Sequence, residues 1–151
     1  MKPVKFTCVE TLNLTPERIA EEILDASKWL SFKGYGPLPG IASAEFEKRT
    51  PAVVGSRMRV VNTDRSTHVE EFVDWRPGER LQLNMQEFSP PFSRLATKVE
   101  EVWTFERISA ATRATRTLSM HPKSALTRPF VWLLSFLLKR AIQRHLLAMR
   151  E

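Results

Sequence analysis

Cysteine is almost absent: Cys8 stands alone in 151 residues. That excludes an internal disulfide, and with only three histidines it leaves too few soft ligands for a structural zinc site. Glycine is scarce too, five against ten prolines, which predicts short elements separated by firm turns. No apolar run approaches the ~20 residues of a membrane-spanning helix. The longest, Phe130 to Leu138, is interrupted by Ser135. The N-terminus, Met-Lys-Pro-Val-Lys, has no apolar core of a signal peptide, so a cytoplasmic location is expected. A phosphate-cradling glycine loop, a Ser–His–Asp order and metal-ligand spacing are all missing. No metal or cofactor is therefore expected.

What is present fits one globular domain over residues 1–151, with 42% hydrophobic and 26% charged residues. The net charge of +6 is unevenly placed. From Arg113 onward there are eight Lys/Arg and one acid, Glu151. Such an end suits nucleic acid or an anionic membrane, or it complements the dipole of a terminal helix. No aromatic residues interleave these charges as base-stacking platforms would, so no nucleic-acid partner is expected.

Val4 to Leu12 alternates and predicts a strand. Thr15-Pro16-Glu17 is a helix start, with a hydroxyl N-cap, proline at the first position and an acid in the first turn. Ile19, Ile23 and Leu24 form its apolar stripe, and Asp25 to Leu30 predicts a second short helix burying Trp29. Gly34 to Gly40 must be a loop. Strands are expected at about 44–50, 57–63, 67–75, 81–88, 97–107 and 112–121, then one long helix from about Ala125 to Met149. Consecutive strands with short turns imply an antiparallel meander, whose apolar face needs that helix as cover. The fold class expected is α+β.

Turn lengths set which side chains face inward. A two-residue turn at Asp64-Arg65 would set Val60 opposite Val69, Met58 opposite Glu71 and, on the outer face, Arg59 opposite Glu70. His68 would then face outward. A longer loop at 76–80 places Trp75 opposite Leu81 and Val73 opposite Leu83. In the last hairpin, Glu106 pairs with Arg113 and Thr104 with Thr115, which turns Phe105, Trp103, Glu101, Ala114, Arg116 and Leu118 inward. The interior is then greasy with three polar exceptions: Glu71, Glu101 and Arg116. Either they reach water at the sheet margin, Arg116 stacking on Trp103, or they orient a polar ligand atom.

These elements resemble the START-like (SRPBCC, Bet v 1-like) superfamily, especially its bacterial polyketide cyclase/dehydrase-like and lipid-transport-like members. The resemblance spans Val4 to Met149. It rests on Leu14-Thr15-Pro16-Glu17, Trp29, the Gly34–Gly40 loop, Val54-Gly55-Ser56-Arg57, Trp75-Arg76-Pro77-Gly78-Glu79-Arg80-Leu81, Glu101-Val102-Trp103-Thr104-Phe105 and the final helix. Two departures lie in turns: Arg65 and Ala111 stand where the family often has glycine. The resemblance implies a helix-grip fold, a curved sheet wrapped around the long helix, with a hydrophobic ligand held between them.

Function is less determined than fold. A binding or transport module for a lipid, polyketide or quinone needs only the cavity. A cyclase or dehydratase would fold a reactive substrate there with Glu101, Glu71 or Arg116 assisting. A structural domain would fill the same space with its nine Phe, four Trp and five Met. A carboxyl group deep in the cavity and within reach of Arg116 would favour catalysis, purely apolar walls would favour binding, and a collapsed core would favour neither. The expected lining comprises Tyr35, Leu38, Ile41 and Phe46 from the loop and first edge, and Met58, Val60, Val73, Leu83 and Met85 from the central strands. Trp103, Phe105, Arg116 and Leu118 complete the sheet side, and Leu134 and Leu137 the helix side. Tyr35 and Leu38 could close the mouth as lids, or the loop could be a rigid connector. Cys8 and the histidines carry no catalytic arrangement, and His145 suits the helix dipole as a cation. Finally, Val131, Trp132 and Phe136 cannot all turn the same way. Either the short N-terminal helices cover part of the last helix, or it offers a patch to an anionic membrane or a second subunit, so that monomer and homodimer stay open.

Overall fold

The computed structural model describes residues 1–150. Seven antiparallel strands form one curved sheet: β1 (Val4–Leu12), β2 (Ile41–Lys48), β3 (Arg57–Asn62), β4 (Thr67–Arg76), β5 (Arg80–Gln86), β6 (Ala96–Ile108) and β7 (Ala111–Pro122). Their order is β1-β7-β6-β5-β4-β3-β2, a meander closed by β1 returning beside β7. Helix α1 (Pro16–Leu24) and a 3₁₀ segment (Ala26–Ser31) link β1 to β2, and α2 (Arg128–Ala148) follows the sheet.

Local chemistry fixes the crossover. Thr15 Oγ1 accepts from Arg18 N at 3.1 Å with Pro16 in the first turn, which satisfies one of the donors a helix start leaves orphaned. Asp25 ends α1, and its Oδ1 accepts from Ser27 N, starting the 3₁₀ segment. Trp29 Nε1 donates to Ile23 O at 2.8 Å, so the indole is pinned over the sheet rather than merely packed. It meets Phe72, whose ring is fully buried. Burying such a side chain contributes ~2–3 kcal/mol.

The β3–β4 hairpin departs from expectation. Its loop has three residues, Thr63, Asp64 and Arg65: Arg65 N donates to Asn62 O and Asn62 N to Ser66 O. Arg65 takes φ +73, the left-handed conformation glycine usually supplies. The extra residue slides the register by one, and a one-residue slip exchanges faces. Met58 therefore pairs with Glu70, Arg59 with Val69 and Val60 with His68. His68, Glu70 and Phe72 turn inward, while Glu71 turns outward to Arg57 at 3.2 Å. The register shifts again at Val73, so Leu83 faces Phe72 rather than Val73, while Trp75 lies opposite Leu81 as expected. The last hairpin matches its expected register, Glu106 with Arg113 and Thr104 with Thr115.

Helix α2 packs along β1, where Cys8 is buried beneath Lys139 O. It begins at Arg128, not Ala125, because Ser124 and Thr127 bond each other's backbone N–H groups in a preceding turn. Val131, Ser135, Leu138, Ile142 and Leu146 face the core. The short N-terminal helices leave the opposite face uncovered: Phe130, Trp132, Leu133 and Phe136 are each more than half exposed. No helix of the described residues is long and apolar enough to cross a membrane.

Candidate ligand cavity

Sheet, helix and loop do not close on a solid core. Between them lies a cavity of about 540 Å³, within the range of small-molecule sites. Leu83, Met85 and Trp103 line it from the sheet, Leu134 and Leu137 from α2, and Leu38 and Ile41 from the loop and the start of β2. Trp29 and Phe32 of the crossover complete the apolar wall.

The remaining expected lining residues lie elsewhere. Met58 and Val60 face inward but are fully buried in a packed cluster with Phe72. Phe46 stacks on Phe72 in that cluster, ring centroids 6.0 Å apart. Leu118 is sealed in the core, and Phe105 packs against it. Val73 is displaced by its register shift, and Glu71 is held on the outer face by Arg57. Tyr35 points to solvent with Arg144 over its ring. The loop is braced: Tyr35 and Leu38 exchange two backbone hydrogen bonds, each 3.0 Å. Pro37, Leu38 and Pro39 of the loop reach the cavity wall.

Two polar clusters interrupt the apolar wall. In the first, Arg116 Nη2 donates to Glu101 Oε2 at 2.9 Å, and Trp103 Nε1 donates to Glu101 Oε1 at 2.8 Å. The guanidinium lies 4.3 Å over the Trp103 ring, and Arg116 and Glu101 are 4% and 5% exposed. Arg116 Nη1 lies 2.8 Å from His145 Nδ1. Arginine only donates, so Nδ1 is the acceptor and Nε2 carries the imidazole hydrogen. Nε2 donates to Ser31 Oγ at 3.0 Å, and Ser31 in turn donates to Lys28 O. Burial, with the adjacent Arg116 charge, lowers the His145 pKa to about 3. His145 is thus a neutral cavity residue and not the helix-terminal cation expected. Its place three residues after Ile142 and four after Ala141, both buried, was the signal for that.

The second cluster comes from the slipped hairpin. His68 Nε2 lies 2.9 Å from Glu70 Oε2, and both residues line the cavity. Asn62 Nδ2 approaches His68 Nδ1 at 3.4 Å and Ser66 Oγ at 3.0 Å. The left-handed turn at Arg65, a position that stands out as a missing glycine, is what brings this pair inside.

The sequence profile described as polyketide cyclase / dehydrase and lipid transport matches residues 3–151. The chain belongs to this family. No curated protein sequence matches it. Among solved structures, the protein TTHA0849 from Thermus thermophilus is similar with a TM-score of 0.72 and 16% identity, over 97% of this chain and 94% of that one. The major latex-like protein 151 of Panax ginseng is similar with a TM-score of 0.64 and 14% identity, over 96% and 98%. Ara h 8.0201 gives the same TM-score and identity over the same shares. At these identities the likeness is one of fold: this member of the polyketide cyclase/dehydrase and lipid-transport family has the helix-grip architecture.

Proposed function

We propose that this protein binds, and carries between sites, one small and largely apolar molecule such as a lipid, polyketide or quinone, with a carbonyl or carboxylate of that molecule set against Arg116. One observation carries the reading: a nearly sealed arginine in the wall of a greasy cavity. Removing a charged pair from water costs several kcal/mol, so its place beside empty apolar space favours a ligand-orienting role. The guanidinium is also incompletely used. Nη1 and Nη2 each make one bond and keep a second N–H, whereas Nε is sealed without a partner. Calorimetric titration of dodecanoic acid and dodecanol tests this. The wild type should bind both and prefer the acid about tenfold or more, the scale of one charge-assisted hydrogen bond. The double variant Arg116→Met/Glu101→Leu should lose that preference. Equal affinities in the wild type, or an unchanged preference in the variant, would remove Arg116 from the reading.

A second reading has one observation in its favour: Glu101 lies in the cavity wall within hydrogen-bond reach of Arg116, the arrangement that speaks for a cyclase or dehydratase. Against it, both Glu101 oxygens already accept bonds. Conversion of a poly-β-ketone thioester to an aromatic product, lost in Glu101→Gln, would support it.

We also propose that the outer face of α2 rests on an anionic membrane while ligand is exchanged. Trp132 and Phe136 meet edge to face at 4.8 Å in solvent. Arg140 and Arg144 continue the Phe136 line at four-residue spacing, both exposed. An aromatic half followed by a cationic half matches acyl chains beneath acidic headgroups. Vesicles of phosphatidylglycerol and phosphatidylcholine should float the wild type at low salt and not Trp132→Glu/Phe136→Glu. A wild type left in the soluble fraction, or a dimer that buries the patch, would overturn this.

A further inference from the structure

The His68–Glu70 pair has no part in holding the Arg116 end of a ligand. Glu70 lies on the row formed with Met85 and Val99, and Glu101 on the neighbouring inward row with Leu83 and Phe72. Their backbone positions are therefore two strands and two residues apart, about 12 Å along the sheet, and both residues line the one cavity.

The hydrogen-bond directions at the two poles are opposite. At Arg116 the cavity offers N–H donors. At the second pole Asn62 Nδ2 donates to His68 Nδ1, so the imidazole hydrogen sits on Nε2 and is given to Glu70 Oε2. The other carboxylate oxygen, Oε1, accepts nothing from the described residues, and it is not among the atoms sealed without a partner. His68 thus orients Glu70 and leaves one of its oxygens open to the cavity. Being open to the cavity, that oxygen is free to accept a hydrogen bond from a molecule held there.

We infer that Glu70, oriented by His68, is a second ligand-binding pole that accepts a hydrogen bond from a hydroxyl group on the distal part of the bound molecule. The inference rests on the proposed binding function and narrows it. The ligand class is an amphipathic hydroxy-carbonyl compound, with an acceptor at Arg116, an apolar body along Leu83 and Met85, and a hydroxyl at Glu70.

The experiment compares 12-hydroxydodecanoic acid with dodecanoic acid by calorimetry. In water the added hydroxyl favours the free state, so an unfilled apolar pocket would bind the hydroxy acid less tightly. The wild type should instead bind the hydroxy acid tenfold or more tightly than dodecanoic acid. In His68→Phe/Glu70→Leu, which removes both partners and strands neither, that ratio should fall to about two or below. His68→Phe alone, which frees Glu70 from its orienting bond, should give an intermediate ratio. Equal or weaker binding of the hydroxy acid by the wild type overturns the inference while leaving the binding function standing. So does a preference that survives in the folded double variant. If neither acid binds the wild type, the binding function itself is wrong and the inference falls with it.

Discussion

Arg116 and Glu101 sit on neighbouring strands of the cavity wall, and their environment sets the cost of changing either. Arg116→Met alone leaves a buried carboxylate without its cation and should cost about 3–5 kcal/mol. Adding Glu101→Leu removes the orphaned charge and should restore most of that loss, which a double-mutant cycle by chemical denaturation would measure. His145 adds a pH dependence. Its folded pKa is lowered to about 3 by burial and by Arg116, whereas an unfolded histidine titrates near 6.5. Below that value the unfolded chain takes up a proton the folded chain refuses. Stability from this group is therefore complete above about pH 6.5 and declines towards pH 3, by on the order of a few kcal/mol. His145→Gln should flatten this part of the profile of melting temperature against pH. A charged imidazole at position 145 at pH 5, seen in nitrogen chemical shifts, would contradict the assignment.

Among the elements, the β3–β4 hairpin decides which chemistry enters the cavity. Its strands were legible from alternation, but its register was not, because Asp64-Arg65 reads as a two-residue turn and Arg65 instead takes a conformation that most side chains avoid. Arg65→Gly should therefore stabilise the fold by about 0.5–1 kcal/mol without moving the register. The Gly34–Gly40 loop gives the opposite case. Gly34 has φ +74, and a β-carbon there would clash with Leu38 O. Gly34→Ala should destabilise the protein by more than about 1 kcal/mol and open the loop, as thermal melting and faster amide exchange at Tyr35 and Leu38 would show. If the loop is a gate, saturating dodecanoic acid should slow that exchange; unchanged protection would mark it as a connector. In α2, the apolar run predicted that some cover was needed. Only packing could show that α1 and the 3₁₀ segment turn Ile19 and Trp29 to the core and leave Trp132 bare.

At the scale of the whole molecule, the meander from β2 to β7, the long helix and the last hairpin followed from period, proline placement and cross-strand charge, and these carry the Glu101–Arg116 pair with them. Three residues of the two polar clusters did not follow. His68 and Glu70 depended on one loop residue, and His145 on reading a helix face as buried rather than terminal. Cavity and core look alike in sequence, since Leu118 and Leu83 are the same residue type at the same parity, yet only Leu83 reaches open space. The claim that this space holds one small apolar molecule is tested most directly by native mass spectrometry of the protein with dodecanoic acid, beside a variant in which Leu137→Trp fills the cavity from α2. A single saturable adduct is expected on the wild type, with at least tenfold weaker binding to the folded variant. Several weak adducts, or one whose affinity Leu137→Trp leaves unchanged, would contradict it.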